Sequence, residues 1–172
     1  MDAVSKIKFT FALCCLLSGS LLAAPKQVDS LNTAYTNLDS GAVKARRHAG
    51  KMVSRAHELI GTPYRWGGAS VSKGFDCSGL LVYLFRSEAG IHIPRTTSSM
   101  LSSTSKVVDR KNLKSGDVVF FKHNGRQRMK HVGIYIGDNK FIHSPRTGKH
   151  VRIDSLSNTY WNKSYFTAKR FH

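Results

Sequence analysis

Cys77 stands in the run Gly74-Phe75-Asp76-Cys77-Ser78-Gly79-Leu80, and two histidines, His131 and His143, lie in later apolar, strand-like runs. A thiol and an imidazole are the parts of a nucleophile and its base. A free thiol is a weak nucleophile near neutral pH, because its ordinary pKa is about 8.5. At the start of a helix the unpaired backbone N–H groups favour the thiolate, while the charge of Asp76 opposes it. The helix end alone therefore does not activate Cys77, and an imidazole is required. His131 is the candidate base, and His143 is the candidate group that fixes its tautomer.

Thiols and imidazoles of this kind have two other uses. A metal site finds no CxxC, HxH or HExxH spacing, and no metal or cofactor is expected. A structural cysteine would sit in apolar surroundings, whereas Cys77 has polar, glycine-rich flanks. His48, His57, His92, His123, His150 and His172 read as surface or structurally satisfied residues.

The elements that must position these groups are legible as pattern. Residues 1–24 read as an export signal: Lys6 and Lys8, an apolar stretch from Phe9 to Leu22, then Ala23 and Ala24 before Pro25. Leu21 or Leu22 at the −3 place fits an Ala-x-Ala site imperfectly. The apolar stretch is short for a bilayer span, so an integral membrane protein is not expected. Cys14 and Cys15 lie inside it, in a context that argues against a lipid anchor. Their removal leaves Cys77 as the one cysteine, unpaired in an oxidising compartment, the periplasm or cell envelope.

The chain carries a net charge of +17, and without Lys6, Lys8 and Asp2 it keeps 25 basic and 9 acidic residues, a net +16. Such a surface attracts polyanions, here anionic envelope polymers. No zinc-finger, helix-turn-helix or RNP-like pattern supports a nucleic-acid partner.

Residues 25–42 are polar and read as an arm preceding one domain at 43–172. From Val43, apolar residues recur at helical steps (Ala45, Ala49, Met52, Val53, Ala56, Leu59, Ile60), with Gly61 as cap and Pro63 as stop. A second helix is expected from Cys77 with Asp76 as N-cap, Leu80, Leu81, Leu84 and Phe85 inward, and Gly90 at its end. After Pro94 the sequence becomes strand-like: Val118–Phe121, Val132–Ile136, Phe141–His143, Val151–Ile153 and Tyr165–Phe171. Helices followed by a meander predict an α+β domain, with N-terminal helices packed on an antiparallel sheet of about five or six strands.

His131 is expected at the beginning of its strand. A plain two-residue hairpin at Asp138-Asn139 would set His143 opposite Ile134, on the wrong face. A three-residue loop, Gly137 to Asn139, would set it opposite Gly133, diagonal to His131 and on its face. A longer or bulged turn is therefore predicted, with Gly133 leaving room for the rings.

In their order along the chain, six fragments resemble the NlpC-type cysteine peptidases of bacterial cell walls. They are Gly61-Thr62-Pro63-Tyr64-Arg65-Trp66-Gly67-Gly68, Asp76-Cys77-Ser78-Gly79, Ile93-Pro94-Arg95-Thr96-Thr97, the run from Leu113 to Phe121, His131 to Gly137, and Phe141-Ile142-His143. The resemblance implies a minimal papain-like fold, with Cys77 as nucleophile, His131 as base and His143 as orienter. It also implies that the Tyr64 hydroxyl assists the oxyanion with the Cys77 N–H, and that Asp76, Ser78 and Arg95 line a substrate groove. Trp66 stands where some relatives carry a smaller residue.

The expected substrates are peptidoglycan stem peptides, cut either at a diamino acid–D-Ala crosslink or at a D-Glu–diamino acid bond. The alternatives are a non-catalytic basic envelope-binding module, an acyltransferase or lipid hydrolase on the same thiol scaffold, and an injected toxin, which the export signal disfavours.

Overall fold

The computed structural model describes residues 26–123 and 126–172. The export signal read at 1–24 lies outside them. The chain divides into two units, Met1–Asn37 and Leu38–His172. Everything that positions the site belongs to the second.

Helix α1 spans Lys26–Glu58. It begins well before Val43, so the polar stretch read as an arm is helical. Adding a residue to an existing helix costs far less than nucleating one, so the amphipathic part from Val43 onward can carry the polar part with it. Ala49, Met52, Ala56 and Leu59 are buried as the spacing predicts, whereas Ile60 is exposed. Gly61 adopts φ 92°, a conformation that ends the turn, and its N–H donates to Val151 O over 2.9 Å.

A two-stranded ribbon, β1 (Ala69–Ser70) and β2 (Gly74–Phe75), leads into α2 (Cys77–Ala89). The cap is the predicted one: Asp76 Oδ1 accepts the Gly79 N–H over 2.6 Å, and Gly90 closes the helix at φ 67°. Leu80, Leu81, Leu84 and Phe85 are completely buried. Each removes a side chain from water for about 1.5–3 kcal/mol. These four fix α2, and with it Cys77, against the sheet.

Residues beyond Pro94 first form a helix rather than a strand. Thr97–Ser102 is α3, started by the Thr96 hydroxyl, which accepts the Ser99 N–H over 3.2 Å. Thr96 competes successfully with the strand tendency of its neighbours because Thr is a good N-cap. There follow β3 (Lys106–Val108), β4 (Val118–His123), β5 (Arg126–Gly137), β6 (Lys140–His143), β7 (Arg152–Ser155), α4 (Thr159–Ser164) and β8 (Tyr165–Arg170).

Among the described residues the main sheet has six strands in the order β3-β8-β4-β5-β6-β7, and every pairing is antiparallel. One face carries Val118, Phe120, Val132, Ile134 and Ile142 against α2. The other carries Val119, Phe121, Tyr135 and Phe141, with Trp161 packed on them. The fold is α+β, as the pattern predicts.

The β5–β6 hairpin meets the register demand by a bulge. Asp138 and Asn139 form a two-residue turn with φ 49° and 56°, values typical of a type I′ turn. The pairing then shifts, from Gly137↔Lys140 to Tyr135↔Phe141, so that Ile136 is the extra residue. Ile134 pairs with Ile142, which brings His143 alongside Gly133.

Candidate active site

Cys77 is the first residue of α2 and is partly buried. Its sulfur lies 4.0 Å from Thr97 Oγ1, at the start of α3. Burial pushes the thiol pKa up, and the Asp76 carboxylate pushes it further. Hydrogen bonds from Thr97 and from the backbone N–H groups of Ser78 and Val132 act in the opposite direction. Val132 directly follows His131, so the sulfur rests against the segment of β5 that carries the imidazole. Among the described residues no hydrogen bond joins the thiol to a histidine ring.

His131 lies inside β5 rather than at its beginning, because the strand extends back to Arg126. The β4–β5 register is irregular just beyond it, after the Phe121↔His131 pair. His131 Nε2 is 2.6 Å from His143 Nδ1, with the rings nearly perpendicular at 86°. His143 is completely buried, and its Nε2 is 2.8 Å from Asp154 Oδ2 on β7. The same oxygen accepts from Arg152 Nη2 at 2.8 Å and from Trp161 Nε1 at 2.9 Å.

These contacts fix the tautomers. The Asp154 carboxyl is held at about 2 by its hydrogen bonds to His143 and Arg152, against the upward push of burial. It is therefore ionised and can only accept. His143 must donate from Nε2 and accept at Nδ1, so His131 donates from Nε2 and keeps a lone pair on Nδ1. Burial lowers the pKa of both rings, that of His131 well below its ordinary value. Burial thus favours the uncharged forms of both the thiol and the imidazole.

On the other flank of the thiol, Tyr64, Trp66, Asp76, Ser78, Arg95 and Thr97 line a cavity of about 860 Å³ together with Cys77. The Tyr64 pKa is raised, first by burial and then by the neighbouring Cys77 and Asp76, which line the same cavity. Arg95 clasps Asp76 with two parallel bonds, Nη1 to Oδ1 at 3.0 Å and Nη2 to Oδ2 at 2.8 Å, and donates to Ser78 Oγ at 2.9 Å. All seven residues singled out in the sequence therefore fall in two adjoining groups, one around the cavity and one along β5 to β7. Trp66 is 85% exposed at the cavity rim.

Asp154 and Trp161 went unnoticed in the sequence, and Thr97 stood out there only as part of the Ile93–Thr97 fragment. Asp154 pairs with Phe141, and Arg152 pairs with His143, so all four side chains share one face. Period-two counting along β7 would have found the carboxylate, given the β6–β7 register. That register is set across an eight-residue connection, Ser144 to Val151, whose Pro145 and Gly148 signal a turn but do not fix which residues of β6 and β7 pair.

A helix-borne thiol docked on an antiparallel sheet that supplies the histidines is the minimal papain-like arrangement. Residues 61–170 match the NlpC/P60 family. The chain belongs to that family.

It is 43% identical over 136 residues to the murein DD-endopeptidase MepH of Escherichia coli K12, covering 78% of this chain and 50% of that protein. It is 44% identical over 110 residues to the murein DD-endopeptidase/murein LD-carboxypeptidase MepS of the same strain, covering 64% and 56%. A crystal structure of an NlpC/P60 family protein from Bacillus cereus ATCC 10987 superposes with a TM-score of 0.67 at 37% identity, over 72% of this chain and 40% of that one. The chain thus spans about half the length of the curated relatives it matches.

Proposed function

We propose that the chain is an exported cysteine endopeptidase that cleaves amide bonds in peptidoglycan stem peptides or their crosslinks, working in the periplasm or cell envelope. The observation that carries this reading is the linear chain from His131 through His143 to Asp154, which starts on β5, the strand against which the Cys77 sulfur rests. No helix among the described residues is long and apolar enough to cross a membrane. The names of the relatives supply the substrate class, and the net charge of +17 suits carboxylate-bearing peptides within a polyanionic wall.

In the proposed reaction the Cys77 proton passes to His131 Nδ1 as sulfur attacks the scissile carbonyl carbon. The oxyanion is met by the Cys77 N–H, unpaired as the first of α2, and by the Tyr64 hydroxyl. Collapse breaks the C–N bond, and the imidazolium returns its proton to the departing amine. Water then attacks the thioester with His131 again as base, releasing the carboxylate and the thiol. His143 holds the His131 ring, and ionised Asp154 holds His143. Asp76, Ser78 and Arg95 form the wall that receives the acyl half.

Purified murein and defined muropeptides test this, with products read by mass spectrometry. The wild-type protein should release peptide fragments with a new amine and a new carboxylate, and Cys77→Ala should release none while keeping its fold by circular dichroism. Turnover that survives Cys77→Ala ends the proposal. The product masses also assign the bond, diamino acid–D-Ala or D-Glu–diamino acid, and lipid substrates run in parallel separate a lipid hydrolase.

A further inference from the structure

A second cavity of about 580 Å³ opens on the far side of the histidine pair, and the reaction above gives it no role. His131 lines it, and Cys77 does not. In amide cleavage by a thiol, the imidazole that took the proton must return it to the departing amine, so the amine half of the substrate must lie on the imidazole side. The acyl half occupies the Cys77 cavity. The space beside His131 is where the amine half can extend.

The chemistry of this cavity is distinctive. Lys122, Arg146 and Arg152 line it, with Asp154 as the lining carboxylate. Asp154 is already engaged by His143, Arg152 and Trp161. Of the cations, the Lys122 ammonium sits 3.6 Å over the Phe166 ring, and Arg152 is tied to Asp154. Arg146 is exposed, and its guanidinium forms no hydrogen bond or ion pair among the described residues. The aromatic wall is Trp161, held edge-on to Tyr160 with ring centres 4.9 Å apart. An apolar wall facing uncommitted positive charge suits a short aliphatic chain ending in a carboxylate, the shape of an amino acid residue that still bears a free acid group.

We infer that this cavity is the subsite for the leaving half of the substrate, and that Arg146 binds a carboxylate carried by the diamino-acid residue whose amine departs. The inference rests on the hydrolase reading above and adds which half of the substrate is selected, by what group, and by which residue.

Two crosslinked muropeptides that differ in one group provide the test: a free carboxylate or a carboxamide on the diamino-acid residue bearing the leaving amine. The ratio of their kcat/KM values is measured with the full chain and with Arg146→Gln. A charge-assisted bond lost from the transition state predicts that the wild-type protein prefers the carboxylate by about tenfold or more. In Arg146→Gln that ratio should fall toward unity. Equal turnover of the two substrates by the wild-type protein overturns the subsite alone, as does a preference that Arg146→Gln retains in full. Absence of Cys77-dependent cleavage of either substrate overturns the hydrolase reading and the subsite with it.

Discussion

The hydroxyl of Ser144 donates to the backbone carbonyl of Phe75 over 2.7 Å, and Ser144 is completely buried. Ser144 directly follows His143, and Phe75 lies two residues before Cys77. One hydrogen bond therefore ties the end of the histidine strand to the loop that delivers the thiol. The same carbonyl also accepts the Arg65 N–H over 3.0 Å, so Ser144→Ala removes one of its two hydrogen bonds and should cost about 0.5–1.5 kcal/mol, seen as a lower urea midpoint at unchanged slope. Because the bond spans the centre, kcat should fall along with stability. A variant as active and as stable as the parent would mean that the two segments are held by other contacts.

Gly133 is the second positional constraint. A Cβ there would stand 2.6 Å from Phe141 Cδ2, 3.0 Å from Ile142 O and 3.3 Å from His143 Cβ. The backbone oxygen and the buried Phe141 ring have little freedom to retreat. Gly133→Ala should destabilise by about 1–3 kcal/mol through overpacking, and it should impair catalysis by pushing β6 and its histidine outward. Thermal unfolding together with steady-state rates checks both effects. An alanine accepted with full activity would show that the sheet yields more than its packing implies.

The hydrogen-bonded chain predicts a graded series. His131→Ala removes the base and should lower kcat by about 10²–10⁴. His143→Ala removes only orientation and should be milder. Asp154→Asn replaces a pure acceptor by a group that can also donate, which loosens the tautomer of His143 and through it that of His131. Its loss should lie between the wild-type rate and His131→Ala, with KM little changed. If Asp154→Asn matched the parent, the carboxylate would have no bearing on the imidazoles.

Activity requires His131 to be neutral so that it can accept the thiol proton. Its pKa lies well below the ordinary 6.5, first because of burial and then because of the neighbouring His143. The acid limb of kcat/KM should therefore fall below pH 6.5, with activity gained as pH rises through that lowered value. The thiol is raised above its ordinary value of about 8.5, chiefly by burial, so the alkaline limb should lie above that pH. Both limbs report the pair jointly. An acid limb above pH 6.5 would show that the ring is charged at rest.

The helices and the thiol were legible in the sequence because their signals are local. Asp76 before Cys77 and Gly90 after Ala89 mark α2 without reference to anything distant. The shared face of His131 and His143 was also legible, since only one hairpin register allows it. Its realisation was not, because choosing between a longer loop and a type I′ turn with a bulge at Ile136 depends on how β5 twists against β4 and β6. Thr96 as the cap of α3 was hidden inside a run of serines and threonines that suits several structures. Asp154 was hidden for a different reason: its partner His143 lies across a strand register that an eight-residue loop, although it carries Pro145 and Gly148, leaves open.

The chain has two tryptophans, Trp66 and Trp161. One projects into solvent at the edge of the thiol cavity, and the other lies against both imidazoles with ring centres 5.0–5.5 Å apart. Nature has thereby placed two intrinsic fluorophores on opposite flanks of the reacting atoms. Single replacements by phenylalanine would assign each emission band, and protonation of the histidines would quench the inner one alone. Occupancy of the acyl side and the charge state of the base could then be followed optically in the same cuvette, without any added label.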